Sequence, residues 1–300
     1  MRPKLPVMGR ERVMRLQLLC CAAAWTLSCG KRDAAPTTDT AADTAHATTA
    51  VPSRAADWAS ELGQLLVVPA DSDNTAVVLY PDEPSALLIA SQPLTLVNAA
   101  GDTTRVRLVA SDSQECGDAP VVRLSGTTPS AWSVGLLAHS ARLLPMDSIE
   151  ALPSADSARL AADLARLASG LRTHQSSRFS GLPFAVLGAH RFQSDGRQFL
   201  VAHLVRRLNQ EAAPLEERTL LIAERPVSSP AGEPYNVTYS QRSEGSEDTA
   251  EHFEVLAAVR GQASPLLILE RDQLSRTSYD ILERVPDDGW RTRWSRTLSC

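Results

Sequence analysis

The chain has 300 residues, 43% of them hydrophobic and 22% charged, and a net charge of −5. After any leader, that length admits one large domain or two small ones, and the acidic balance argues against nucleic acid and anionic lipid as electrostatic partners. The only lysines are Lys4 and Lys31, so the stretch from Trp58 to Cys300 excludes a P-loop lysine, a Schiff-base lysine and an S-x-x-K hydrolase.

At the N-terminus, Arg2, Lys4, Arg10, Arg12 and Arg15 stand against the single acid Glu11 and precede an apolar run from Leu16 to Leu27. About twelve residues suit the hydrophobic region of a signal peptide and are too few to cross roughly 30 Å of hydrocarbon as a helix. Thr26-Leu27-Ser28-Cys29 closes the run with a small residue before a cysteine. This segment resembles the lipobox of bacterial lipoproteins, with Thr26 where that family usually carries Leu. The resemblance covers about the first thirty residues only. It implies a signal peptide over residues 1–28, lipidation of Cys29, and an exported protein held in the cell envelope by an N-terminal lipid anchor. Gly30, rather than Asp, follows the cysteine, which in a cell with two membranes implies the outer membrane, facing the periplasm. Ala22-Ala23-Ala24 offers ordinary secretory cleavage as an alternative, and an uncleaved anchor is a third reading.

Cleavage after Ser28 removes five positive charges and one negative, leaving about −9. Residues 29–57 then form the lipidated cysteine and an Ala/Thr/Asp-rich tether, in which Val51 is the only branched aliphatic and no aromatic occurs. Such a segment cannot bury enough apolar surface to offset its ordering entropy, so it is expected to be disordered, with a reach of about 30 Å. Cys20 and Cys21 leave with the signal. Cys116 and Cys300 remain as one expected disulfide, with metal ligation by two thiolates as the competitor, although no Cys-x-x-Cys or Cys-His spacing supports it.

The first β-rich subdomain is expected over residues 58–145. Its short β-branched runs are Leu65–Val68, Ala76–Tyr80, Ala86–Ile89, Leu94–Val97, Arg105–Val109, Val121–Leu124 and Trp132–Leu136, broken by polar turns. Even spacing of this kind predicts an antiparallel sandwich or a small barrel. A helical segment follows over 146–180: Leu160, Leu164, Leu167 and Leu171 recur at helical spacing, Ser154 or Asp156 is placed to cap, and Gly170 marks the closing turn.

A β-meander subdomain is expected over 181–300. Phe184–Phe192 and Phe199–Val205 flank an Asp195-Gly196 hairpin signal, and Asp287-Asp288-Gly289 marks a second tight turn. In the last hairpin, strict alternation places Trp290 and Trp294 on one face, as core or as a carbohydrate-stacking platform. The fold class is therefore α+β, predominantly antiparallel β, with one central amphipathic helix.

A two-residue loop at Asp195-Gly196 pairs Phe192 with Phe199 and His190 with Val201, so His190 and His203 become diagonal neighbours on one face. With a carboxylate such as Glu216 or Glu217, these histidines are the candidates for a periplasmic hydrolase. The bland alternative is satisfied histidines and solvated glutamates. The acidic stretch Glu244, Glu247, Asp248, Glu251 and Glu254 matches no calcium loop by spacing and reads first as a solvated connection; Asp71, Asp73 and Asn74 read first as a turn, with calcium second in both. G-x-S-x-G, H-E-x-x-H, G-x-G-x-x-G and C-x-x-C do not occur. The sequence thus points to a cell-envelope lipoprotein with a non-catalytic binding or structural role, no cofactor or metal, and a membrane plus an unknown envelope protein or small ligand as partners.

Overall fold

The computed structural model describes residues 57–70, 74–80, 93–116, 119–126, 131–137, 139–171, 178–209, 214–230, 232–274 and 276–298. The expected signal peptide, Cys29, the tether, the strand at Ala86–Ile89 and the Cys116–Cys300 pairing lie wholly or in part outside the described residues or side chains. Described residues all belong to one compact unit, built as mostly antiparallel β with one α-helix among them. No helix among the described residues is long and apolar enough to cross a membrane.

The first half closes into a barrel. Strands β1 (Gln64–Val68), β2 (Thr75–Leu79), β3 (Pro93–Asn98), β4 (Thr103–Cys116), β5 (Ala119–Ser125) and β6 (Ser133–Leu137) pair in the order β1-β2-β5-β4-β3-β6. Leu66, Val78, Leu94, Leu96, Val106 and Leu124 fill its interior. Closure removes the exposed sheet edges that strands this short would otherwise present. Gly135 on β6 is a demand of that filling, since a Cβ there would meet Leu94 and Leu96 methyls at 2.9 and 3.0 Å. Gly135→Val is expected to lower stability by about 1–3 kcal/mol through overpacking. An unchanged urea midpoint would mean that the interior has room.

β7 (Arg142–Leu144) and β8 (Asp147–Ser148) leave the barrel and join the edges of two different sheets. Sheet I has the order β12-β11-β10-β9-β8, and sheet II the order β16-β15-β14-β13-β7. Sheet I is the hairpin series β9 (Ala185–Ser194), β10 (Arg197–Leu208), β11 (Leu215–Pro226) and β12 (Asn236–Gly245). Sheet II is a second series, β13 (His252–Arg260), β14 (Pro265–Gln273), β15 (Arg276–Val285) and β16 (Gly289–Leu298). The expected meander is thus two meanders that change sheet after Gly245.

The layers run barrel, sheet II, sheet I, helix. Leu65, Val67 and Leu136 on the barrel's outer wall pack against Ile268, Ile281 and Trp294 of sheet II. Phe192, Phe199, Val201 and Ile222 of sheet I meet Phe253, Leu267, Leu269 and Trp290 of sheet II. The helix α1 (Ser154–Gly170) lays Leu160, Leu164 and Ala168 on the far face of sheet I, with Leu167 and Leu171 partly buried beside them. Both faces of each five-stranded sheet are therefore covered, which is why β10 and β11 read as continuous apolar runs rather than alternating ones. α1 begins without a side-chain cap; its first turn is closed instead by Asp156 and Ser157 donating to the Pro153 carbonyl.

The shared face of the two C-terminal tryptophans is also overturned. Trp290 and Trp294 do not share a face, because the β15–β16 ladder slips between Ile281 and Leu282, pairing Ile281 with Trp294 but Leu282 with Thr292. Such a bulge inserts a residue and re-aims everything beyond it. Trp294 consequently packs edge-on to Trp58 at 4.8 Å in the barrel-side core, and Trp290 packs edge-on to Phe199 at 5.6 Å between the sheets. No stacking platform forms from the pair.

Candidate functional site

The hairpin that carries the candidate histidines turns at Asp195 and Gly196, with φ of 50° and 71°. Two positive φ values suit the primed turn that Asp-Gly favours. Register follows from it: Phe192 faces Phe199, His190 faces Val201 and His203 faces Gly188. His203 then makes its ring contacts across the sheets, 4.7 Å from His252 and 5.5 Å from Phe253. His190, opposite Val201, lies on the same face as His203, as the turn predicts, and has Ser148 of β8 as its register partner on its other side.

Both rings are lowered from the ordinary imidazole value. Burial, aided by the neighbouring His252 and Arg218, holds His203 down at about 3. Burial also lowers His190, partly opposed by Glu150. His203 Nε2 and His190 Nδ1 are buried and take no hydrogen bond among the described residues. A general base works best near the operating pH, and His203 is far from it.

Glu216 and Glu217, adjacent on β11, go to opposite faces of sheet I and are each claimed by arginine. Arg206 donates to Glu217 through Nε at 2.9 Å and Nη2 at 3.0 Å, both residues being fully buried, and its guanidinium lies 4.7 Å over the Phe184 ring. Glu216 accepts from Arg207 at 2.5 Å and Arg218 at 2.8 Å. Burial works against its charge, yet these two hydrogen bonds hold its carboxyl below the ordinary range. His190, His203, Glu216 and Glu217 are therefore not one constellation.

Arg218 also orders the acidic β12–β13 connection. It donates to the carbonyls of Glu247 at 3.2 Å and Ala250 at 3.4 Å. Glu244 pairs with Arg242 at 2.8 Å and Glu251 with Arg271 at 3.1 Å. Gly245 permits the tight turn, since a Cβ there would stand 2.4 Å from Thr249 Oγ1. Among the described residues no group of three or more His, Cys, Asp or Glu is arranged to hold a metal ion.

Two features were not anticipated from the sequence. One is a polar hollow of about 670 Å³ where the first turn of the body meets β15, β16 and the β13–β14 connection, lined among others by Glu61, Gln262, Glu283, Arg291 and Arg293. Its ion pairs are long. Arg293 stands 3.6 Å from Glu61 and 3.3 Å from Glu283, and Arg291 lies 3.4 Å from Glu283. Charge-assisted pairs in good geometry close to about 2.7–2.9 Å, as in Arg284 to Glu224 between the sheets, at 2.8 and 2.9 Å. The other is a row of polar side chains across sheet II: Glu254 pairs with Glu270, Glu270 with Tyr279, and Tyr279 with Arg296. Glu270, placed at the end of the apolar run Leu266–Leu269, was the one visible trace of it.

No family model, curated protein or solved structure matches the chain.

Proposed function

We propose that the protein is a cell-envelope lipoprotein, anchored through Cys29, whose body has a non-catalytic binding or structural role. The polar hollow carries the binding reading. Its volume falls in the range of small-ligand sites, and its lining presents carboxylates and guanidinium groups in loosely made pairs. A small polar ligand can exchange those long contacts for shorter ones, whereas the tight pairs between the sheets serve as bracing. Arg291 stands at the mouth, with its side chain 61% exposed.

The address and the binding role have separate tests. Protein recovered from membranes is expected to begin at Cys29 and to carry the mass of acyl chains, which cleavage near Ala22–Ala24 cannot produce. Unprocessed chain in the cell interior, with Cys116 and Cys300 as free thiols, ends the envelope reading. Native mass spectrometry of envelope-extracted protein against Arg291→Ala reads the hollow. A retained small molecule lost in the variant supports binding, and no adduct in either leaves the structural role.

A further inference from the structure

Six carboxylate side chains are buried among the described residues: Glu61, Glu216, Glu217, Glu224, Glu270 and Asp280. Five face an arginine. Arg293 lies by Glu61, Arg218 by Glu216, Arg206 by Glu217, Arg284 by Glu224 and Arg271 by Asp280. Glu270, 3% exposed, is the exception among the described residues. What stands directly opposite it on β13 is a second acid, Glu254. Like charges in that position oppose each other, and an unpaired buried carboxylate is strongly disfavoured.

The groups around the pair are of one character. Tyr279, also 3% exposed, is the register partner of Glu270 on β15. Its hydroxyl has no hydrogen bond among the described residues, and it is raised by burial and then by Glu270 and Asp272. Asp272 is one position along the same face of β14 and pairs with His252. His252 Nε2 reaches to 4.0 Å of Glu254. The cation of this row, Arg296, lies beyond Tyr279 and is directed at the Tyr80 ring, 5.8 Å from its centroid. Glu254 is the more exposed acid of the pair, with its side chain 36% exposed. The result is a row of acids on one face of sheet II, beside a hydroxyl with no hydrogen bond and with no arginine paired to Glu270 among the described residues; Tyr279 stands four positions before the hollow's Glu283 on β15.

We propose that Glu270, Glu254 and the Tyr279 hydroxyl form a recognition notch for the ammonium group of a small amine. The charge that arginine supplies to every other buried carboxylate here is then supplied by the ligand. An ammonium needs two or three oxygen acceptors within hydrogen-bond reach and no fixed coordination geometry, which suits a site where the described donors are not arranged for a metal. Burial, with Asp272 and Glu254, raises Glu270 from its ordinary 4.5 to about 8, so at neutral pH a proton occupies the place that the amine would take. Binding therefore releases a proton, and below about pH 8 affinity weakens roughly tenfold for each pH unit.

Methylammonium chloride is the probe, with sodium chloride matching ionic strength and tetramethylammonium supplying charge without N–H donors. At pH 8.5 methylammonium is expected to raise the Tm of the native protein and to leave that of Glu270→Gln unmoved. Glu254→Gln, at a half-buried position, is expected to weaken the response at least several-fold, and Tyr279→Phe to weaken it less. Calorimetry at pH 6.5 in two buffers of different ionisation enthalpy is expected to show proton release near one, falling to about one-quarter at pH 8.5. Equal Tm responses in native protein and Glu270→Gln, an equal effect of tetramethylammonium, or no response at all each overturn the proposal.

Discussion

Glu270→Gln is expected to stabilise the folded protein at pH 9 by roughly 3–5 kcal/mol, and to change stability little at pH 4. The size follows from a carboxyl raised from 4.5 to about 8 by burial, Asp272 and Glu254, at about 1.4 kcal/mol for each unit between the two states. The folded state keeps a proton that the unfolded chain gives up above about pH 4.5. Stability contributed by this group therefore falls as pH rises from about 4.5 to about 8 and is level above that. Glutamine has neither limb. Chemical denaturation of both proteins at pH 4, 6.5 and 9 measures the difference, and coincident stabilities at pH 9 would show that the carboxyl is solvated or paired in solution.

His203 acts in the opposite sense. Its folded value, near 3, lies below the ordinary 6.5 because of burial and then the adjacent His252 and Arg218. The unfolded chain takes up a proton that the folded one refuses, so stability is lost as pH falls from about 6.5 toward 3. Burial lowers His252 also, with Arg218 adding to it, and the hydrogen-bonded Glu216 steepens the same acid limb. Glu254, raised by burial, adds to the alkaline one. Between about 4.5 and 6.5 the slopes of Glu270 and His203 oppose each other, and the native profile is expected to be flattest there.

How much of this could be read beforehand depends on the kind of rule involved. Where one local signal decides, the residues were legible. Asp195-Gly196 determined a two-residue turn, and with it the register from Arg197 opposite Ser194 to His203 opposite Gly188, beyond which the ladder slips. The leucines of α1 announced which stripe would be buried. Where an added residue in one strand decides, they were not. The slip after Ile281 sent Trp290 and Trp294 into different cores. A slip between Val255 and Ala257 likewise determines that Glu254, rather than a neighbour, confronts Glu270. Alternation carries no mark of a bulge. The division of eight C-terminal strands into two sheets was hidden for a related reason: each hairpin is local, but the choice of sheet rests on long-range packing of β7 and β8. The reading of Glu216-Glu217 as solvated could not foresee that Arg206, Arg207 and Arg218 would be brought onto them by pairing β10 with β11.

The second large effect belongs to the buried pair of Arg206 and Glu217, exposed at 3% and 0%. Glu217→Leu alone is expected to cost about 3–5 kcal/mol, because it removes both carboxylate oxygens from a guanidinium that is only 3% exposed. A domain is commonly stable by only about 5–15 kcal/mol, so this single change removes a large share. The double variant Arg206→Met, Glu217→Leu is expected to recover most of the loss, since the two apolar side chains can pack with Phe179 and Phe184, over which Arg206 now lies. Arg242, 3.8 Å from Glu217 and one-third exposed, can turn to solvent or keep Glu244 at 2.8 Å. A double-mutant cycle on denaturation free energies separates the two contributions. A double variant as unstable as the single one would mean that the pair contributes net stability beyond compensating its own desolvation, and that sheet I depends on charge as well as on its covered faces.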